Sequence, residues 1–285
     1  MEQNRRNGIP TRVLGSTGVR VTMIGVGGYH IGKGDADLGV RIVREAIDEG
    51  VNFLDNAWCY NDGDSERIMG RALQGGYRDK VFLMTKNHGR DADTYREQLE
   101  ESLRRLGTDY IDLVQFHAIN EEGEPDRIFS EGAIEEAVKA REEGKIRYIG
   151  FTGHRWPDLF DKMLEYDFDW DTAQMPINLL DAHFRSFAGQ ILPTLLERGI
   201  GVIGMKSLTG GWLLKTDVEA SDAISYALSQ PVDTLVTGID SIEVLQQNLE
   251  IARSWEAMSR ERQAELLEQV SAKAQDGTLE KYKTD

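Results

Sequence analysis

The sequence predicts an α/β fold, a (β/α)8 TIM barrel with an N-terminal β-hairpin and a C-terminal helical extension. Apolar runs that close on a polar residue recur at a constant interval: 31 residues separate Asp55 from Lys86, and 31 again separate Lys86 from His117. One strand, its return helix and the loops between them need about 30 residues. The pattern also persists along the chain, with strand ends near Gly28, Asp55, Lys86, His117, Thr152, Gln174, Lys206 and Gly238. No Pro/Gly-rich linker divides them. Eight alternating strands and helices close a barrel whose site forms at the carboxyl ends of the strands. The chain reads as one domain: residues 1–22 a hairpin, 23–253 the barrel, 254–285 a C-terminal helix and tail.

Arg12-Val13-Leu14-Gly15 and Val19-Arg20-Val21-Thr22 flank the turn sequence Ser16-Thr17-Gly18 and form the hairpin. Met23 to Gly27 is the first barrel strand. Leu38 to Glu49 sets Val40, Val43, Ala46 and Ile47 on one helical face, and Gly50 ends it. Strands over Val51–Asp55, Val81–Lys86 and Ile111–His117 alternate with helices over Ser65–Leu73 and Asp91–Leu106. A helix over Glu131–Glu143 stops at Gly144 and leads into a strand over Lys145–Phe151. Later strands cover Thr172–Met175, Gly201–Met205 and Thr234–Thr237. The helices among them cover Arg155–Glu165, Phe187–Arg198, Val218–Ser229 and Ser241–Arg253. Trp255 to Asp285 adds a charged helix and a polar tail, which reads as a solvated cap or, alternatively, as a segment that helps close the pocket.

The 285 residues are 40% hydrophobic, enough for one large core, and carry a formal charge of −16. That charge argues against nucleic acid and against an anionic membrane surface as partners, since both require basic patches. A bound phosphate would have to be met locally. The single cysteine, Cys59, excludes an internal disulfide and a multi-cysteine metal site. By composition it reads as a small buried hydrophobe. Met1 to Pro10 is polar, without the apolar core of a signal peptide, and no apolar stretch reaches the roughly 20 residues of a membrane helix. The expectation is a soluble, cytoplasmic protein.

Two glycine patterns imitate nucleotide motifs. Gly25-Val26-Gly27-Gly28-Tyr29-His30 lacks the third glycine of a dinucleotide fingerprint, and the bulky Tyr29-His30 pair is not expected to open a helix. Gly27 to Lys33 matches the start of a phosphate loop, but Gly34 stands where a magnesium-binding hydroxyl is needed. Gly27 and Gly28 are expected instead to let the backbone approach a ligand at the barrel mouth.

Asp55, Lys86 and His117 share one end of three successive strands, with Tyr60 in the loop after the first. An ammonium close to a phenol favours the phenolate, and a carboxylate beside that ammonium keeps it charged. Tyr60 could then give a proton to a carbonyl oxygen or take one from an alcohol, with His117 orienting that oxygen. The set suits reversible carbonyl–alcohol redox with a hydride from a cofactor. Taken singly, Asp55 and Lys86 read as a structural ion pair, Tyr60 as a packed aromatic and His117 as a hydrogen-bonded histidine. Their common register makes the case. His30, His88, His154 and His183 lack a metal-ligand spacing such as H-x-x-x-H, so no metal is expected.

Asp55-Asn56-Ala57-Trp58-Cys59-Tyr60, followed by Ser65-Glu66 and Gly70-Arg71-Ala72-Leu73, resembles the signature of the aldo-keto reductases. The likeness continues through Thr85-Lys86, Asp109 to Leu113, His117, Gly144 to Gly150, Gln174, Gly199 to Gly204 and Gly238 to Asn248. It implies a nicotinamide cofactor, NADP(H) or NAD(H), lying extended across the carboxyl end of the barrel, and a small-molecule carbonyl substrate. It also implies that Tyr60 is the acid/base, that Lys86 and Asp55 tune it, and that His117 orients the substrate. Cofactor contacts carry over to Asp55, Gly27 and Gly28, to Thr152, Gly153 and Gln174 around the carboxamide, and to Met205, Lys206, Ser207, Leu208 and Gly210 towards the pyrophosphate. At the adenosine end they carry over to Gly238, Asp240, Ser241, Gln247 and Asn248. Thr152-Gly153 replaces the family's usual Ser-Asn, and Met205 takes the place of the ring that stacks on the nicotinamide. Tyr29, Trp58, His88 and Trp212 are expected to shape the substrate pocket.

The segment from Gly238 to Asn248 has no basic residue, and Asp240 would repel a 2′-phosphate while accepting a hydrogen bond from a 2′-hydroxyl; the chain therefore leans towards NAD(H). Two other readings remain open. One is a non-catalytic, cofactor-binding regulatory or sensor subunit. The other is an aldolase or lyase using Lys86 as a Schiff-base nucleophile, which would need a neutral lysine.

Overall fold

A computed structural model describes residues 5–284. Three short strands come first, β1 (Arg5–Arg6), β2 (Ile9–Val13) and β3 (Arg20–Thr22), joined as an antiparallel sheet. Eight more follow: β4 (Ile24–Gly27), β5 (Phe53–Asp55), β6 (Phe82–Asn87), β7 (Ile111–Phe116), β8 (Ile146–Thr152), β9 (Thr172–Pro176), β10 (Gly201–Met205) and β11 (Thr234–Gly238). These pair in parallel, each with the next, and β11 pairs with β4 to close the barrel.

The register explains why an interval of 31 aligns polar side chains. Asp55 lies opposite Met84, and Lys86 opposite Gln115, so registered partners are 29 residues apart (84 − 55 and 115 − 86). An interval of 31 therefore advances by two positions. Side chains alternate faces along a strand, so two positions preserve the face. The barrel's lower interior is filled by Phe53, Phe82, Met84, Leu113 and Ile203, and Leu14, just after β2, and Val21 of β3 pack into the same cluster. Polar side chains are left for the upper end.

The elements depart from expectation where left-handed or ring-constrained backbone intervenes. The helix expected over Glu131–Glu143 starts at Ala133, because Gly132 adopts φ +84° and separates it from a further helix, Glu124–Ser130, with Pro125 in its first turn. Phe187–Arg198 is two short helices, Phe187–Gln190 and Leu192–Glu197, broken at Ile191 ahead of Pro193. Tyr29 and His30, not expected in a helix, form a single turn, Gly28–Ile31.

The C-terminal segment is not a solvated cap. Helix Arg260–Ala274 packs Leu266, Val270 and Ala274 against Leu179, Leu180, Leu213 and Tyr226, from the loops after β9 and β10 and the helix that follows them. Beyond it, Lys283 is fully buried and donates to Asp181 Oδ1 at 2.9 Å and Phe184 O at 2.7 Å. The end of the chain is thus fastened to the carboxyl end of the barrel. Among the described residues, no helix is long and apolar enough to cross a membrane.

Candidate active site

Lys86 sits at the end of β6 with its side chain almost wholly buried. Its ammonium donates to Asp55 Oδ1, to Asn56 O at 2.8 Å and to Tyr60 Oη at 3.3 Å. The other carboxylate oxygen of Asp55 accepts from Gln174 Nε2 at 2.6 Å. A chain of contacts thus runs from β9 through β5 and β6 to the phenol. Tyr60 is held by a tight loop in which Asn61, Asp62 and Gly63 are all left-handed, at φ 50°, 53° and 86°. The two non-glycine residues there cost about 1–3 kcal/mol each, which the surrounding bonds must offset. Asn61 contributes, donating to Tyr29 O and Ser65 Oγ, both at 2.8 Å.

His117 follows β7, and its ring centroid lies 5.6 Å from that of Tyr60, edge to face. Burial, reinforced by Lys86, holds its imidazole well below the ordinary 6.5, so it is neutral. For Lys86, burial alone would favour the neutral amine, but Asp55 and Tyr60 outweigh it and the net direction is upward. The lysine stays an ammonium. Tyr60 reverses the simplest expectation. Lys86 does favour the phenolate, but burial is the larger effect and the phenol is pushed up to about 12.

Residues 23–223 match the family model for the aldo/keto reductases. The chain belongs to the aldo/keto reductase family. It is 29% identical to L-galactose dehydrogenase of Arabidopsis thaliana over 93% of this chain and 94% of that one. Among solved structures, the holo form of an aldo-keto reductase from Bacillus halodurans superposes with a TM-score of 0.77 at 25% identity, covering 91% of this chain and 96% of that one. An aldo/keto reductase from Klebsiella pneumoniae, in complex with NADP and acetate, shares the fold with a TM-score of 0.74 at 24% identity, over 90% and 93% of the two chains.

In this aldo/keto reductase Thr152, the last residue of β8, and Gln174, in the middle of β9, are buried and in register. Gln174 Oε1 is a buried acceptor without a hydrogen-bond partner, the kind of atom a ligand amide would satisfy. Gly27, Gly28 and Gly153 are tied to packing: a Cβ on them would lie 2.8 Å from Thr237 O, from Asn56 and from the Phe160 ring. A Cβ at Gly238 would lie 2.5 Å from the His30 ring. Met205 ends β10, and Lys206 follows in left-handed geometry, its ammonium depressed by burial and then by Lys86. Ser207 is buried and Leu208 partly so, ahead of the left-handed run Thr209, Gly210 and Gly211. Asp240 and Gln247 are exposed. Ser241 caps the last barrel helix by accepting from Val244 N, and Asn248 is buried and donates to Thr237 Oγ1 at 3.3 Å.

Of the residues expected around the substrate, Tyr29 meets the Tyr60 ring edge to face at 5.3 Å, and His88 lies against His117. Of the two tryptophans expected there, Trp58 donates to Glu101 on the helix after β6, and the Trp212 ring has the ammonium groups of Lys215 and Lys281 over it, 3.7 and 4.7 Å from its centroid. Cys59, expected to be buried, is exposed. Arg90 had no signal of its own, yet its guanidinium binds the carbonyls of both His88 and His117. His154 and Tyr282 meet where the tail reaches the end of β8, the imidazole Nδ1 lying 2.9 Å from Tyr282 O.

Proposed function

We propose that the chain interconverts an aldehyde or ketone and its alcohol, with Tyr60 moving the proton. A bound nicotinamide would supply or accept the hydride. The observation that carries this reading is the Lys86 ammonium, bonded to Asp55 on one side and to Tyr60 on the other. In the reducing direction Tyr60 donates its phenolic proton to the carbonyl oxygen, and Lys86 stabilises the phenolate left behind. A neutral His117 offers a ring N–H to the same oxygen without competing for the proton. A phenol raised to about 12 stays protonated through neutral pH but is a weaker donor than a free tyrosine, so the transfer depends on the adjacent ammonium stabilising the phenolate.

Gln174 Oε1 is suited to accept from the carboxamide of the cofactor, while its amide nitrogen remains on Asp55. Lys206, in left-handed geometry just after β10, would offer a cation to the diphosphate. A charged Lys86 speaks against a Schiff-base mechanism, which needs the free amine. The test is oxidation of NADH and NADPH with a panel of aldehydes, ketones and aldoses. Because one relative is an L-galactose dehydrogenase, aldoses are also assayed in the oxidising direction. Turnover with at least one carbonyl or aldose is expected. Tight cofactor binding without turnover on any would favour a regulatory subunit, and borohydride trapping of substrate on Lys86 would favour the lyase.

A further inference from the structure

Three donor atoms converge beside Tyr60 that the proton-transfer scheme does not use as a group. Cys59 Sγ lies 3.1 Å from His88 Nε2 and 3.6 Å from His117 Nδ1, and the two ring nitrogens are 2.8 Å apart. The residues come from the loops after β5, β6 and β7, so no local spacing in the sequence announces them. Cys59 is an exposed residue, so the group lies near the protein surface.

We propose that Cys59, His88 and His117 form a binding site for a borderline-soft divalent cation, Zn2+ first among them, with a fourth position left to water or an incoming ligand. The donor set is right for it: thiolate and imidazole select zinc and its neighbours over magnesium or calcium. Three protein ligands and one open position are the usual arrangement of reactive zinc sites. The geometry is close. Tetrahedral zinc, with Zn–N near 2.0 Å and Zn–S about 2.3 Å, sets its nitrogen donors about 3.3 Å apart and nitrogen from sulfur about 3.5 Å apart. The cluster reaches that by ring movements of roughly half an ångström.

The two histidines are held from behind. Arg90 donates to His88 O at 3.3 Å and His117 O at 2.6 Å, and its Nε donates to Glu124 at 2.9 Å. One buried guanidinium thus ties together the loops that carry both rings. The nearby cations do not stand bare, since Lys86 is paired with Asp55 and Arg90 with Glu124. Binding exchanges the thiol proton for the metal: Cys59–SH and Zn2+ become a zinc thiolate and one released proton. Ligation through Nδ1 leaves the remaining His117 N–H on Nε2, so the metal would also fix the tautomer of that ring. The competing reading is a hydrogen-bond chain among the same three groups, which binds no metal.

The proposal rests on these three donors and not on the oxidoreductase reading, so it is tested without turnover. Metal-stripped, reduced full-length protein is titrated with Co2+ and then with Zn2+. One equivalent of Co2+ should give tetrahedral ligand-field bands and a thiolate-to-cobalt charge-transfer band, which Zn2+ removes. Cys59 is the only cysteine, so that band has a single possible source. Cys59→Ser should abolish it, and His88→Gln should weaken Zn2+ binding by more than about tenfold. A six-coordinate cobalt spectrum without charge transfer in the wild type would overturn the proposal, whatever the variants do. So would Zn2+ affinity unchanged in folded Cys59→Ser.

Discussion

Lys86 is the residue on which the site turns, because it bonds three oxygens while buried. Lys86→Met keeps most of its length and removes the charge. Asp55 then loses its cation but keeps Gln174, and an uncompensated buried carboxylate costs about 3–5 kcal/mol. Denaturant unfolding should show a loss of that order, and any residual activity should have an altered pH–rate profile. An unchanged profile would mean that Lys86 does not tune Tyr60. A second prediction concerns Asp240, exposed just ahead of a serine whose hydroxyl already caps the helix. Two like charges near 4 Å cost about 1 kcal/mol in water. Asp240→Ala should therefore tighten NADPH several-fold and leave NADH weaker or unchanged, read by quenching of protein fluorescence. Equal NADPH affinity in variant and wild type would place Asp240 away from the 2′-position. At this scale the sequence was legible where chemistry repeats, at Asp55, Lys86 and His117. It was opaque where partners come from separate strand ends. Cys59 meets His88 and Arg90 ties two loops, contacts that no local pattern encodes.

At the scale of the element, the C-terminal tail departs furthest from its composition. A polar run reads as solvated, yet Glu280 and Lys283 are buried and paired. What placed them inside is tertiary: Asp181, midway along the loop after β9, accepts from the ammonium and also from Phe187 N and Ala188 N. The tail also meets His154 after β8, where burial, then Lys206, lowers the imidazole to about 4 from its ordinary 6.5. The sign follows from proton counting. Between those values the unfolded chain binds a proton that the folded chain does not, so stability rises with pH. The contribution is whole above 6.5 and is lost progressively as pH falls towards about 4. Urea unfolding across that window should show the slope in the wild type and a shallower one in His154→Gln. Equal slopes would assign the acid sensitivity to other groups. Helix starts were legible when a side chain caps them, as Asp91 and Ser241 do. Breaks at Gly132 and Ile191 depend on backbone geometry that helical periodicity does not report.

For the whole molecule, an even advance along the register explains both the fold and the site. Each 31-residue step keeps the polar residue facing inward, above a lower interior filled by Phe53, Phe82, Met84, Leu113 and Ile203. The barrel was therefore legible from spacing alone, whereas the depth of burial was not, and burial is what drives Tyr60 upward against its lysine. The most direct test of the account is single-turnover hydride transfer in Tyr60→Phe, with cofactor affinity measured alongside. The ring and its contact with Tyr29 remain, so folding and cofactor binding should persist. Loss of a placed proton donor should slow the step by roughly a hundred- to ten-thousand-fold. A variant that keeps more than about a tenth of the wild-type rate would contradict the assignment of Tyr60 as the acid.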